Sequence, residues 1–265
     1  MTLELSLSIL NKNNETLALA KDYNEVNLVY NKEYEEGDKI VITVSKTKVH
    51  LHIQVDDALG DAFVYVTQNE IVYEIPFGNK RLSMSPKVFS GCMHLLYVRE
   101  AEEKELDNYR NLSLNVMDQY AETGCYPHAS ANATTRGESV FAAKNAIDGV
   151  RANHSHGNWP YESWGINMKD DASMKLEFGR KVIVEKIVLY TRSDFPHDNW
   201  WEKVTLTFSN GERIEWTLEK SDKAHVLNFG EKQLEWLTFS ELIKADDPSP
   251  FPALTQIEVY GRDIY

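Results

Sequence analysis

The sequence predicts an all-β protein made of two β-sandwich domains, the C-terminal one a jelly roll. Three observations carry that reading. Apolar residues recur at every second position along most of the chain, turn residues break these runs at short spacing, and in the second half only the short segment 139–149 reads as a helical turn. At 265 residues, with 42% hydrophobic and 26% charged content, the chain is long enough for one large β domain or two modest ones.

Taken in order, "KIVITVSKTKVHLHIQV" (39–55) alternates Ile40, Ile42 and Val44, then Val49, Leu51, Ile53 and Val55. "AFVYVTQNEIVYEIPF" (62–77) reads as two strands around Gln68-Asn69, and "MHLLYVRE" (93–100) and "NLSLNVM" (111–117) as two more. The charged "EAEEKELDNYR" between them reads as a surface segment, either a helical turn or a solvated loop. Residues 1–118 are thereby expected to form an N-terminal sandwich of unknown role, and 125–265 the second domain. In the second part, strands are expected at 173–179, 182–191, 203–219, 224–230, 234–242 and 254–261. Within 203–219, Asn210-Gly211 between alternating runs is a hairpin signal, since such turns favour positive φ.

Net charge is −13 and evenly spread: 12 basic against 19 acidic groups in residues 1–120, and 16 against 22 in the remainder. Neither part offers the basic face that nucleic acid or anionic lipid requires. No stretch is apolar over the length of a membrane span. The start "MTLELSLSILNKNNE" does not read as a signal peptide, so a cytoplasmic location is expected, or a secreted one if a signal has been trimmed. Cys92 and Cys125, far apart and without metal spacing, read as reduced thiols.

"NAIDG" (145–149), "LEFG" (176–179) and "IEVYG" (257–261), in that order and separation, resemble the coagulation factor V/VIII type C (discoidin) domain. More narrowly they resemble bacterial carbohydrate-binding modules with the galactose-binding-like jelly roll. The resemblance covers residues 125–263. It implies ligands bound on end loops, and a structural calcium where the "DG" loop meets the last strand. Matching positions for the metal are Asp148 and Glu258, with Asn145 and Gly149 as backbone contributors; calcium's demand for six to eight oxygens suits that set. Without a metal, Asp148 is a turn residue before Gly149 and Glu258 a surface strand residue.

Two loops carry unusual chemistry: "RANHSHGNWPYESWGIN" (151–167) and "RSDFPHDNWW" (192–201). Sugar recognition combines an aromatic face with donors and acceptors for hydroxyls. Arg192, Asp194, His197 and Asp198 are candidate hydrogen-bonding groups, joined by His156, with Trp159, Tyr161 or Trp200 as platform. Strand alternation turns one of Trp200 and Trp201 into the core, and Trp164 reads as core. Arg192 with Asp194 or Asp198 is otherwise an ion pair bracing the loop. His154 and His156 with His197 and Asp198 form a weaker transition-metal alternative. Glycoside hydrolysis would need two carboxylates around a cleft, for which Asp194, Asp198 or Glu162 are available; no nucleophile elbow, zinc-protease or phosphate-loop motif is present. The expected function is therefore non-catalytic recognition of a neutral glycan. The alternatives are a protein–protein adhesion or assembly module, which brings a homo-oligomer with it, and a glycan-processing hydrolase.

Overall fold

The computed structural model describes residues 2–193 and 198–264. The expected all-β architecture is what it shows, with every strand pairing antiparallel, as a β-sandwich jelly roll requires. The first part contains β1 (Glu4–Leu10), β2 (Thr16–Tyr23), β3 (Glu25–Tyr30), β4 (Lys39–Val44), β5 (Val49–Gln54), β6 (Ala62–Val66), β7 (Glu70–Glu74), β8 (His94–Glu100) and β9 (Arg110–Asn111). The second contains β10 (Cys125–Tyr126), β11 (His128–Ala131), β12 (Trp164–Gly165), β13 (Met174–Thr191), β14 (Trp201–Phe208), β15 (Arg213–Thr217), β16 (His225–Lys244) and β17 (Ala253–Asp263). The charged segment between β8 and β9 holds a short helix, Glu103–Leu106.

Three sheets result, in the orders β2-β1-β4-β7, β10-β6-β5-β8-β3 and β12-β17-β13-β16-β14-β15, with β11 added on β13 and β9 on β17. The period-two pattern is obeyed where it buries one face: in β1, Leu5, Leu7 and Ile9 point inward, and in β4 and β5 Ile40, Ile42, Val44, Leu51 and Ile53 do the same. Successive runs nonetheless belong to different sheets. β4 and β7 lie in the first, β5 and β6 in the second, so the turns between them cross from layer to layer and close one core around Leu3 to Cys125. A second core runs from Leu112 to Val259, centred on Trp164, Trp201 and Phe239; the Trp201 and Phe239 rings meet edge to face at 5.5 Å.

Several expectations are corrected. β1 to β3 were not anticipated, although "LELSLSIL" alternates perfectly. The run "NLSLNVM" is not a strand: Arg110 and Asn111 pair with Gly261 and Tyr260 of β17, and the chain then turns. The runs 173–179 and 182–191 are one strand, β13, whose register slips around the left-handed Gly179 (φ 67°). A Cβ there would stand 2.4 Å from the Tyr126 ring, which is why the "LEFG" motif ends in glycine. Likewise 224–230 and 234–242 fuse into β16. The Asn210-Gly211 hairpin forms, but only Gly211 takes positive φ (87°); Asn210 instead accepts the Glu212 N–H through its side chain (3.0 Å), giving a three-residue loop.

The segment 110–126 weaves between the two cores. β9 joins the sheet of the second, whereas β10 pairs with β6 of the first. Leu112 is buried in the second core, but Met117 and Cys125 lie in the first.

A charged cluster binds the two together. Asp263, at the end of β17, receives Arg110 and Arg180, and His50 Nε2 lies 3.4 Å away on β5. The Arg110 and Arg180 guanidiniums also lie over the Phe63 and Tyr65 rings at 4.4 and 5.1 Å. Burial by itself would raise the Asp263 carboxyl, but the His50 contact and the two arginines hold it far below the usual carboxylate range. A depressed acid stabilises the fold above its unfolded pKa of about 4, and that contribution fades as pH falls below it. Asp263→Asn, which leaves two partly buried arginines without their anion, is expected to cost about 1–3 kcal/mol at pH 7. Its unfolding midpoint should also fall less steeply than the native protein's below about pH 4; parallel acid limbs in the two thermal titrations would refute this assignment.

Candidate ligand-binding site

Four segments converge on one cavity of about 130 Å³: the turns at 135–141, the strand β12 with its continuation to Met168, the loop end at Arg192 and Asp198, and Phe251 to Ala253 ahead of β17, with His156 at its side. Local pairing explains why they meet. Trp164 and Gly165 pair with Leu254 and Ala253, and the Arg192 N–H reaches the Ala253 carbonyl at 3.3 Å. Trp164 Nε1 donates to the Ala133 carbonyl (2.9 Å), and Ser163 N–H to Val140 (3.0 Å), tying in the 133–141 segment. Gly165 allows that close passage: a Cβ would lie 2.6 Å from Thr135 Oγ1 and 3.2 Å from Phe141 Cβ.

Arg192 and Asp198 are both buried, 3% and 4% exposed. Arg192 Nε lies 2.9 Å from Asp198 Oδ2, and Nη2 lies 3.4 Å from Oδ1. The third guanidinium nitrogen, Nη1, has no hydrogen-bond partner among the described residues. Burial lowers the guanidinium from its usual value and Asp198 opposes that shift, which leaves a charged donor held in place by its own counter-ion. Arg192 and Arg136 both lie over Phe141, with Cζ to ring centroid distances of 5.9 and 5.4 Å. Phe251 stands at the cavity with 42% of its surface exposed.

The cavity wall is conformationally strained. Arg136, Asn167 and Met168 all hold positive φ (52°, 53° and 55°), a conformation costly for non-glycine residues. Cross-bonds between the two turns keep them there: Arg136 N–H donates to Asn167 Oδ1 (3.3 Å) and Asn167 N–H to Thr135 Oγ1 (3.0 Å).

A second, open groove of about 580 Å³ shares Arg136, Phe141 and His156 with the cavity and extends past Glu138 to Trp159 and Tyr161. Arg136 grips Glu138 through two hydrogen bonds of 2.6 and 2.8 Å. The Tyr161 hydroxyl meets His154 Nε2 at 2.9 Å, and the Trp159 indole is 39% exposed.

Of the residues expected from the sequence, Arg192, Asp198 and His156 line the cavity, and Trp159 and Tyr161 line the groove. Trp200 does not: its ring lies beneath Lys220 Nζ at 4.9 Å and touches neither space, because its neighbour Trp201 turns into the core. Asp194 and His197 lie outside the described residues. Thr135, Arg136, Phe141, Asn167 and Phe251 were not anticipated. Their nearest signals are "TTRG", placed by the family resemblance but lacking a motif of its own, and a phenylalanine between two prolines in "SPFPAL".

The residues expected to hold calcium do not come together as an oxygen cage. The Glu258 carboxylate takes Arg151 and the Tyr260 hydroxyl instead. Closing on the "DG" loop from β17 is Gln256: its Nε2 donates to the Asn145 carbonyl (2.7 Å) and to Asp148 Oδ1 (2.6 Å), while its Oε1 accepts the Gly149 N–H (3.1 Å). A side-chain amide thus satisfies the oxygens a cation would have met, and the residues as placed do not fit the ion. Among the described residues no cluster of three His, Cys, Asp or Glu is arranged to hold a metal. Asp148 also faces Glu162, buried at 2% exposure; burial, then this neighbouring carboxyl, raises Asp148, and burial raises Glu162.

A family model now meets this chain. A domain of unknown function, DUF7402, matches residues 125–246. No curated protein matches. Among solved structures, the chain is similar to chitosan-binding module 1 of a chitosanase/glucanase from Paenibacillus sp. IK-5, at 17% identity and a TM-score of 0.40, covering 57% of this chain and 98% of that one. It is similar to the family 32 carbohydrate-binding module of C. perfringens NanJ, solved with galactose, at 20% identity and 0.39, covering 50% and 91%. It is also similar to the lectin domain of lectinolysin, solved with Lewis B antigen, at 19% identity and 0.39, covering 56% and 94%.

The Gln256 amide makes a definite forecast about metal. Chelator should leave the melting temperature of the native chain unchanged, and a clear drop in EDTA would show that a bound cation had been missed. Gln256→Glu, which sets a carboxylate against two oxygens, is expected to lose about 1–3 kcal/mol, and added calcium should recover part of that loss.

Proposed function

We propose that the chain is a non-catalytic carbohydrate-binding protein that takes the terminal residue of a neutral glycan into the cavity beside Arg192. The observation that carries this reading is the buried Arg192–Asp198 pair, with Nη1 unpartnered among the described residues, set beside the aromatic faces of Phe141 and Phe251. Vicinal hydroxyls of a sugar are donors and acceptors at once, so a charged donor fixed against a charged acceptor matches them, while ring C–H groups pack on an aromatic face. A few charge-assisted hydrogen bonds at about 1.5–3 kcal/mol each are enough for a Kd of about 1 mM, near −4 kcal/mol, after the cost of association.

Neutrality of the ligand follows from pairing. Each guanidinium at the cavity and groove already has a carboxylate partner, Arg192 with Asp198 and Arg136 with Glu138, so neither is left to balance an anionic sugar. The same pairing argues against catalysis. Glycoside hydrolysis needs a carboxylic acid with a raised pKa, whereas Arg136 holds Glu138 below its usual range. Glu162 faces Asp148 and lines neither space.

The test is a screen of the intact protein on an array of defined neutral glycans, followed by calorimetry. Phe251→Ala, at an exposed position that should not disturb folding, is expected to weaken binding about tenfold. Arg192→Ala should abolish it, although that variant also removes the guanidinium beside the buried Asp198. A folded protein that binds no glycan, or a Phe251→Ala variant with native affinity, would falsify the assignment. Release of product from aryl-glycosides would retain the ligand class and remove the word non-catalytic.

A further inference from the structure

The open groove is braced from outside the second core. Residues 79–83, which begin within the 3-10 turn Gly78–Arg81 of the first part of the chain, contact one residue that lines it, Trp159, and two that flank its lining, Ser139 and Lys144. Ser139 Oγ donates to the Asn79 carbonyl at 2.6 Å, the Trp159 N–H donates to the Leu82 carbonyl at 2.9 Å, and Lys144 Nζ lies 3.3 Å from Ser83 Oγ. The first falls on the residue before Val140 and Phe141, the second on the exposed aromatic residue of the groove, and the third on the next turn, Ala143–Ile147. Between Arg151 and Ser163 the chain joins no sheet, so no strand ladder fixes the backbone at Trp159. The Leu82 carbonyl is what holds the Trp159 amide, and it does so with the indole 39% exposed. An exposed tryptophan on a braced backbone has surrendered part of its freedom before any ligand arrives, which is how a stacking platform is pre-organised.

The two spaces differ in size. At about 130 Å³ the cavity falls below the roughly 300–1,000 Å³ usual for ligand sites, whereas the groove, at about 580 Å³, falls within that range. Arg136, Phe141 and His156 line both, so the two spaces adjoin. Resting on the glycan reading above, we infer that the ligand is a neutral glycan of at least two residues, its terminal unit in the cavity and the next unit stacked on Trp159 in the groove. Residues 79–83 are then positioning residues: the first part of the chain shapes the second compartment of the site and sets the preference for an extended ligand.

The experiment compares affinities of the intact chain for galactose, glucose, mannose, fucose and N-acetylglucosamine with those for disaccharides carrying each at the non-reducing end. The native protein should bind its preferred disaccharide about tenfold more tightly than the matching monosaccharide, the gain from one further aromatic contact. That ratio should collapse toward one in Trp159→Ala. It should also shrink in Ser139→Ala and in the triple variant Asn79→Gly, Lys80→Gly, Leu82→Gly. A variant that is merely less stable lowers both affinities together and leaves the ratio intact. A native ratio of one, or a ratio that survives Trp159→Ala, overturns the extended ligand while sparing the glycan reading. Collapse in Trp159→Ala with full retention in the Ser139 and glycine variants overturns the positioning role. A folded native protein that binds none of these sugars overturns both readings.

Discussion

Everything described above depends on one buried carboxylate. Asp263 sits at the end of the last strand, yet the groups around it come from β5 (His50), from β9 (Arg110) and from the bend of β13 (Arg180). A desolvated anion tolerates such a place only when its partners are fixed, so the two cores are held in one relation instead of sliding over each other. That relation brings residues 79–83 against Ser139 and Trp159.

Within the second core the same logic recurs on a smaller scale. Buried polar groups are satisfied by partners close at hand: Arg192 by Asp198, the Asn145 carbonyl and Asp148 by Gln256, and Glu258 by Arg151. At the cavity, Arg192 Nη1 is unpartnered among the described residues and three non-glycine residues are held in left-handed backbone.

The class of fold was legible because burial of one strand face imposes a period of two that needs no tertiary knowledge. That one of Trp200 and Trp201 is buried follows from that alternation, which does not say which, and Arg192 and Asp198 stood out because core packing calls for no such charges there. Arg136, Asn167 and Phe251 were not legible, since nothing local distinguishes them; they matter only because three distant loops meet. The calcium set misled for a register reason. Gln256 and Glu258 lie two apart on one strand, so they share a face about 7 Å apart along the strand. Which one meets the "DG" loop is decided by how deep β17 runs, and a motif centred on "IEVYG" carries no information about depth.

The exchange of β9 and β10 has a consequence for how this architecture is inherited. Binding domains of this size are usually portable: a cut in the linker yields a cassette that works wherever it is spliced. Here a cut at 118–125 would strip β9 from β17 and leave β10 without β6, opening an edge on each side. The two cores share their seam as a zip shares its teeth, and the unit that can be transplanted intact is the interlocked pair.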